Sequence, residues 1–430
     1  MRTFRFWLAW FLSLILFLVA GLYAGPVFQE TTAPEKLIAA AEELVPVVAK
    51  LRGLEPKAPI RKGVAGREEL AKALNDVVNR QYEKNELRLD GLLLKKLGFI
   101  PQDMDYAAFA VKLLVEQVGG YYDPEKKTLF LASWLPVDQQ KPVMVHELTH
   151  ALQDQHFDLS GMMDRDRKSR NDDMVLAHQA FVEGDATAVM LDYLLSPSGK
   201  TFLQLPDLSF IMRAQTSLME TQFEVLRSAP EYLKETLLFP YGYGASFLQK
   251  VRANDVPWSE VNRIYSDMPA STEQILHPDK YLGERDAPKQ VTVPDPTAIL
   301  GKEWQPVYHN VLGEFSIYLL LKLHLQEEAA RNSAAGWGGD HVILVEDSGG
   351  KRSAVFADCV WDTQEAADRF YAAMSTWLER RYPKARKTAE SDSGFDIIAS
   401  GECHSLRRQG VTVRLIIGLP ESYAGKFSRR

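Results

Sequence analysis

The sequence predicts a mainly α-helical body with α+β elements, followed by a small α/β module of ββαββ type. Three observations carry that reading. Up to about residue 334, apolar residues recur mostly at helical spacing. One turn-rich stretch, YYDPEKKTLFLA (121–132), interrupts them with flanking aromatic and apolar residues. After AAGWGGD (334–340) the pattern switches to short β-rich runs. The chain has 430 residues, 46% hydrophobic and 25% charged. That is ordinary globular composition, long enough for two or three domains and a sizeable core.

Residues 1–29 read as a separate unit. Arg2 and Arg5 precede FWLAWFLSLILFLVAGLYA (6–24), which has no charge. A basic start and a long apolar run direct a chain to the export machinery. The run is long for a signal peptide and close to the minimum for a spanning helix. A cleaved signal and an uncleaved membrane anchor both remain open. The arginines favour an inside N-terminus, which puts the rest of the chain outside, periplasmic or extracellular. The net charge of −7 gives no broad attraction to nucleic acid. No glycine-rich phosphate loop is present.

Residues 30–334 then form the expected main domain. Residues 33–54 are amphipathic and helical, 57–64 suit a short strand, and 66–99 and 103–118 are helical again. Residues 121–132 read as a β-hairpin turning at DPEKK. Pro142 is placed at the first turn of the next helix, a favoured position for proline. Asn171 to Asp173 offer caps for a helix over 174–195. Helices follow over 208–230 and 244–255, with FPYGYG (239–244) between them as a glycine-rich loop. A proline-bounded connector spans 268–288, and 313–332 is the last helix of this body. Residues 335–430 form the α/β module. Its Cys359 and Cys403 are the only two cysteines. An exported compartment permits them to pair; free and buried is the alternative.

The chemistry concentrates in VMVHELTHALQDQHFD (143–158). His146 and His150 lie one turn apart on one helix face, so both imidazoles can reach one ion. Glu147 sits beside the first. This is the H-E-x-x-H arrangement of zinc hydrolases, in which the glutamate serves as general base and acid. Zinc needs a third protein ligand. His156 matches a known ligand spacing, but Gln153 stands where a turning glycine would be needed. A continuing helix carries His156 past the site. The rival is Glu183, in FVEGDATAV. Its helix is largely apolar, where an unpaired carboxylate is costly. Gly184, Ala186 and Thr187 allow a close helix approach. Glu183 is therefore the expected third ligand, with His146 and His150.

HELTHALQDQHFD with a downstream EGDA resembles the gluzincins, metallopeptidases with two histidines and a glutamate on zinc. EQVGGYYDPEKKTLFL, FVEGDAT, STEQILHPDKY and GWGGD extend the likeness to exported or surface predicted zinc metallopeptidases of archaea and bacteria. The resemblance implies a zincin-like domain, Zn²⁺ on His146, His150 and Glu183, and Glu147 as catalytic base. It implies a peptide or protein substrate and a sheet edge beside the metal helix; the strand KTLFLA (127–132) is well placed to pair with peptide, and a purely structural hairpin is the equal alternative. Many gluzincins carry an aspartate four residues after the glutamate ligand. Here that position is Thr187, and Asp185 comes two residues on. Candidate oxyanion donors are His277, Tyr241 and Tyr243, the tyrosines reaching the site from a flexible FPYGYG. Two other readings stand beside a peptidase: a non-catalytic exported zinc-binding protein, and a metal-dependent amidase acting on cell-wall peptides.

Overall fold

The computed structural model describes residues 32–81, 84–117, 119–211 and 220–427. The apolar segment 6–24 lies outside them. Among the described residues, no helix is long and apolar enough to cross a membrane. The architecture is mixed α and β: a helical body with a small sheet, and a larger antiparallel sheet at the C-terminal end.

The body opens with α1 (Pro34–Arg52), β1 (Arg61–Ala65), α2 (Arg67–Gln81), α3 (Lys84–Leu97) and α4 (Tyr106–Gln117). The hairpin follows as β2 (Gly120–Asp123) and β3 (Thr128–Ala132). Asp123 accepts from the amides of Glu125 and Lys126, which closes the turn. The strand order is β1-β3-β2, with β1 parallel and β2 antiparallel to β3. So KTLFLA does not offer a free edge: β3 is the central strand, paired on both sides. The outer strands are β1 and β2, and β2 lies against the next helix.

That helix, α5 (Val137–Phe157), begins one turn before the expected start. Pro142 therefore lies inside it, where the one bond lost is the donation its nitrogen cannot make. Gln140 anchors the entry by donating to the carbonyls of Ala132 and Leu135. A short α6 (Leu159–Ser169) leads to α7 (Asp172–Leu195), capped by Asn171, which accepts from Met174 N at 2.9 Å. Helix α7 is buried on every side from Gln179 to Asp192.

FPYGYG is not a loop. It lies within α8 (Glu231–Val251), and its glycines serve contact rather than flexibility. A Cβ at Gly244 would stand 1.8 Å from the Ala180 carbonyl oxygen, and one at Gly184 would stand 2.2 Å from the Gly244 backbone carbon. The close approach that Gly184 permits is thus to α8, not to the histidine helix. A second tie is ionic. Arg52 at the end of α1 gives Nε and Nη2 to Asp185 at 2.6 and 2.9 Å, and Tyr265 donates to the same carboxylate at 2.7 Å. Both charged side chains are fully buried. Breaking one half of such a pair costs about 3–5 kcal/mol.

The C-terminal sheet has seven antiparallel strands in the order β4-β5-β6-β10-β9-β8-β7. They are β4 (Trp304–Asn310), β5 (Trp337–Asp347), β6 (Ser353–Trp361), β7 (Arg386–Ser391), β8 (Gly394–Ala399), β9 (Glu402–Gln409) and β10 (Thr412–Pro420). The sheet begins at Trp304, ahead of the expected boundary at 335, because β4 pairs with β5 across the intervening helices α9 (Gly313–Lys322) and α10 (Glu327–Ala334). Helix α11 (Gln364–Arg381) covers one face, so the module is ββαββββ plus a borrowed strand. Cys359 and Cys403 are both free and buried. Cys359 pairs in register with Val413, and Cys403 with Leu419. Six residues along one strand is roughly 20 Å, well beyond the reach of a disulfide.

Substituting Gly244→Ala should destabilise the protein by about 3 kcal/mol, the upper end for an overpacked site, because the obstructing atom is backbone. Chemical denaturation reads this directly. An unchanged midpoint would mean the two helices do not touch there.

Candidate metal centre

Helices α5 and α7 bring His146, His150 and Glu183 together in the interior. Glu183 Oε2 lies 3.0 Å from His146 Nε2 and 3.2 Å from His150 Nε2. The two Nε2 atoms are 2.9 Å apart. His146, Glu147 and Glu183 are at most 2% exposed, and His150 is 7% exposed. Tetrahedral zinc with bonds of about 2.0–2.1 Å sets neighbouring ligand atoms ~3.3 Å apart. Two imidazole nitrogens and one carboxylate oxygen, all aimed at one point at nearly that spacing, are a donor set that fits Zn²⁺.

The two histidines differ sharply in electrostatics. Burial, reinforced by the neighbouring His150, lowers the pKa of His146. Burial also opposes charge on His150, but Glu183 outweighs it and raises that pKa. Glu183 is lowered: burial opposes its charge, and His150 and His146 overcome it. The trio therefore favours a charged His150 beside an ionised Glu183.

One residue outside the motif orients the site. Gln153 Nε2 donates to the carbonyl of Val182 at 3.2 Å, so its Oε1 faces His150 Nδ1 at 2.8 Å. An oxygen there requires Nδ1 to carry the proton, leaving Nε2 to face the cluster. Gln153 is fully buried and links the ligand-bearing turns of both helices. Its place three residues after His150, on the same helix face, was the available sequence signal. Among the described residues Nδ1 of His146 has no hydrogen-bond partner; that ring is set by packing, edge-on to His150 and tilted over Tyr241 at 6.1 Å between centroids. Asp185 takes no part in orienting a histidine, being committed to Arg52 and Tyr265. Thr187, at the position of the gluzincin aspartate, is buried, and among the described residues its hydroxyl has no partner.

Glu147 is placed by the hairpin. The Tyr122 amide, on the outer edge of β2, donates to Glu147 Oε2 at 2.6 Å. The Tyr122 hydroxyl donates to Asp154 at 2.7 Å, and Lys127 also pairs with Asp154. The hairpin is thus fastened to α5 at two points two turns apart. Glu147 is also close enough to His150 to help raise its pKa.

The remaining candidates stand elsewhere. His156 meets the Glu55 carbonyl at 2.8 Å and does not touch the trio. His277 bonds to Glu314 at 2.8 Å. Tyr243 accepts from Arg331 and stacks on Phe239. Held in α8, it cannot swing as a loop tyrosine would. Tyr241, fully packed in the same helix, is the one oxyanion candidate beside a ring of the trio, that of His146. A second acidic group, Glu273, Asp286 and Asp362, already holds a cation of the chain: the Lys280 ammonium lies 2.6, 2.7 and 2.9 Å from its three carboxylates.

A family described only as a domain of unknown function, DUF8575, matches residues 304–426, the region of the seven-stranded sheet. No curated protein matches the chain. A crystal structure from Chloroflexus aurantiacus, described as "a putative hydrolase with a novel fold", is similar over 63% of this chain and 95% of its own, at 16% identity and a TM-score of 0.38. At that score the likeness transfers neither fold nor chemistry.

Two outcomes are expected of metal titrations with the purified chain. Gln153→Leu should weaken zinc binding roughly 10- to 100-fold, as loss of an orienting partner does; chelator competition measures it, and unchanged affinity would remove Gln153 from the site. Affinity should also rise with pH. A raised His150 pKa means the proton is present at neutrality and must leave as the cation enters, so binding tightens by about tenfold per pH unit until His150 has titrated. Calorimetry in buffers of different ionisation enthalpy should show that proton released.

Proposed function

We propose that this chain is an exported zinc-dependent metallopeptidase of the gluzincin kind, with a zincin-like catalytic domain. The observation that carries the reading is the convergence of His146, His150 and Glu183 at 2.9–3.2 Å, with Glu147 next in the chain. His146, His150 and Glu183 would hold the zinc. When bound, the ion supplies Lewis acidity and brings the pKa of a water toward neutrality. Glu147, its carboxylate steadied by the Tyr122 amide, takes the proton of the attacking water and later delivers it to the leaving nitrogen. The basic start and the uncharged run 6–24 support export, by a signal or a membrane anchor. The substrate class is a peptide or protein.

Burial favours a second reading. Three of the four residues are at most 2% exposed, which also suits a non-catalytic protein whose zinc is structural. Glu147→Gln separates the two. The peptidase reading expects one equivalent of zinc retained, while cleavage of an unfolded protein substrate falls at least 10³-fold, the order of a lost general base. A wild-type chain that binds zinc and cleaves nothing supports the structural reading. Wild-type turnover in the variant would remove Glu147 from the mechanism.

A further inference from the structure

The seven-stranded sheet has a second face, turned away from α11. Along β10, Thr412, Arg414 and Ile416 share it; Arg407 and Gln409 lie beside them on β9, and Phe356 and Asp358 on β6. The segment around 293–300 and the C-terminal turn cover only part of this face, through Val293, Leu300, Tyr423 and Phe427. The remainder is a cavity of about 730 Å³, within the range of roughly 300–1,000 Å³ typical of small-molecule sites. Its roof is apolar: Val293, Pro294, Pro296 and Ile299, with Phe356 and Phe427 at the wall.

The floor has an unusual charge order. Arg407 and Arg414 stand directly opposite each other across β9 and β10. Like charges in that relation repel. Each is drawn outward to its own acid. Arg414 gives Nε and Nη2 to Asp358, both at 2.7 Å, while Arg407 gives Nη2 to Asp396 at 2.7 Å and to the Ala389 carbonyl, and Nη1 to the Leu406 carbonyl. The row thus runs acid, base, base, acid, with no anion between the two guanidiniums. Among the described residues Nε of Arg407 has no hydrogen-bond partner, and the residue is only 9% exposed. Asp295, the acid on the cavity wall, is occupied by the amide and hydroxyl of Thr297 at 2.9 and 2.8 Å.

We propose that this cavity binds an apolar molecule bearing a single carboxylate, seated between Arg407 and Arg414. The carboxylate completes an alternating charge row and takes the charge-assisted bonds that the paired guanidiniums leave open. The apolar body lies under the proline-rich roof. A fatty acid and an apolar peptide C-terminus share this chemistry. The site does not depend on the metal centre.

Calorimetry on the full chain tests it with decanoate against 1-decanol, and N-acetyl-leucyl-leucine against its amide. At least one acid should bind ten times more tightly than its neutral counterpart, and the pair that does so names the source. Ala298→Trp, at an exposed position on the cavity wall, should weaken that acid tenfold or more. Arg407→Gln should erase the preference for acid over neutral ligand. If circular dichroism shows Arg407→Gln unfolded, Ala298→Trp decides. Equal binding of acid and neutral ligand, no binding of either acid at millimolar concentration, or an unchanged Ala298→Trp would overturn the proposal.

Discussion

Helix α7 is apolar almost all round, yet it carries five buried carboxylates: Asp172, Asp173, Glu183, Asp185 and Asp192. An acid in such a place must find a partner. Each finds one on a different element. Asp172 takes Asn310 of β4, and Asp173 takes Thr272 of the connector. Glu183 meets α5, Asp185 meets α1, and Asp192 accepts the Phe202 amide. The axial position and rotation of α7 are therefore fixed at several heights, and Glu183 is delivered to the histidines as one member of that set.

Precision at the site follows from rigidity around it. The glycine contact between α7 and α8 leaves no room for either helix to slide. On the other side, the hairpin is fastened to α5 through Glu147 and Asp154. A metal centre needs ligands held to within about 0.5 Å, and fully packed elements hold them better than loops do. The loop expected at FPYGYG would have been a weak wall; a helix carrying Tyr241 across the His146 ring is a firm one.

The trio also shows how environment divides like residues. His146 and His150 occupy equivalent positions in the motif, yet their pKa values move in opposite directions. Burial acts against charge on both. His150 has Gln153 on its other nitrogen, whereas among the described residues Nδ1 of His146 has no partner. The same burial therefore yields opposite shifts on two rings one helical turn apart.

Local pattern was enough for the elements that depend on local pattern. The hairpin turn at DPEKK, the cap at Asn171, and the one-turn spacing of His146 and His150 are all properties of a few consecutive residues, so the sequence by itself determined them. The buried setting of Glu183 was legible too, since an acid within an apolar helix signals a partner. What only the tertiary structure decided depends on residues far apart in the chain. Gly244 reads as a loop glycine until Ala180 is brought against it. Nothing in the local pattern links Asp185 to Arg52, 133 residues away, yet the two pair. Strand β3 reads as an edge until β1 pairs with its other side, and Cys359 and Cys403 read as a pair until the register of β10 separates them. The physical reason is common to all four. Periodicity and turn chemistry act within a few residues, whereas close packing, ion pairing and strand order are set by which distant segments meet.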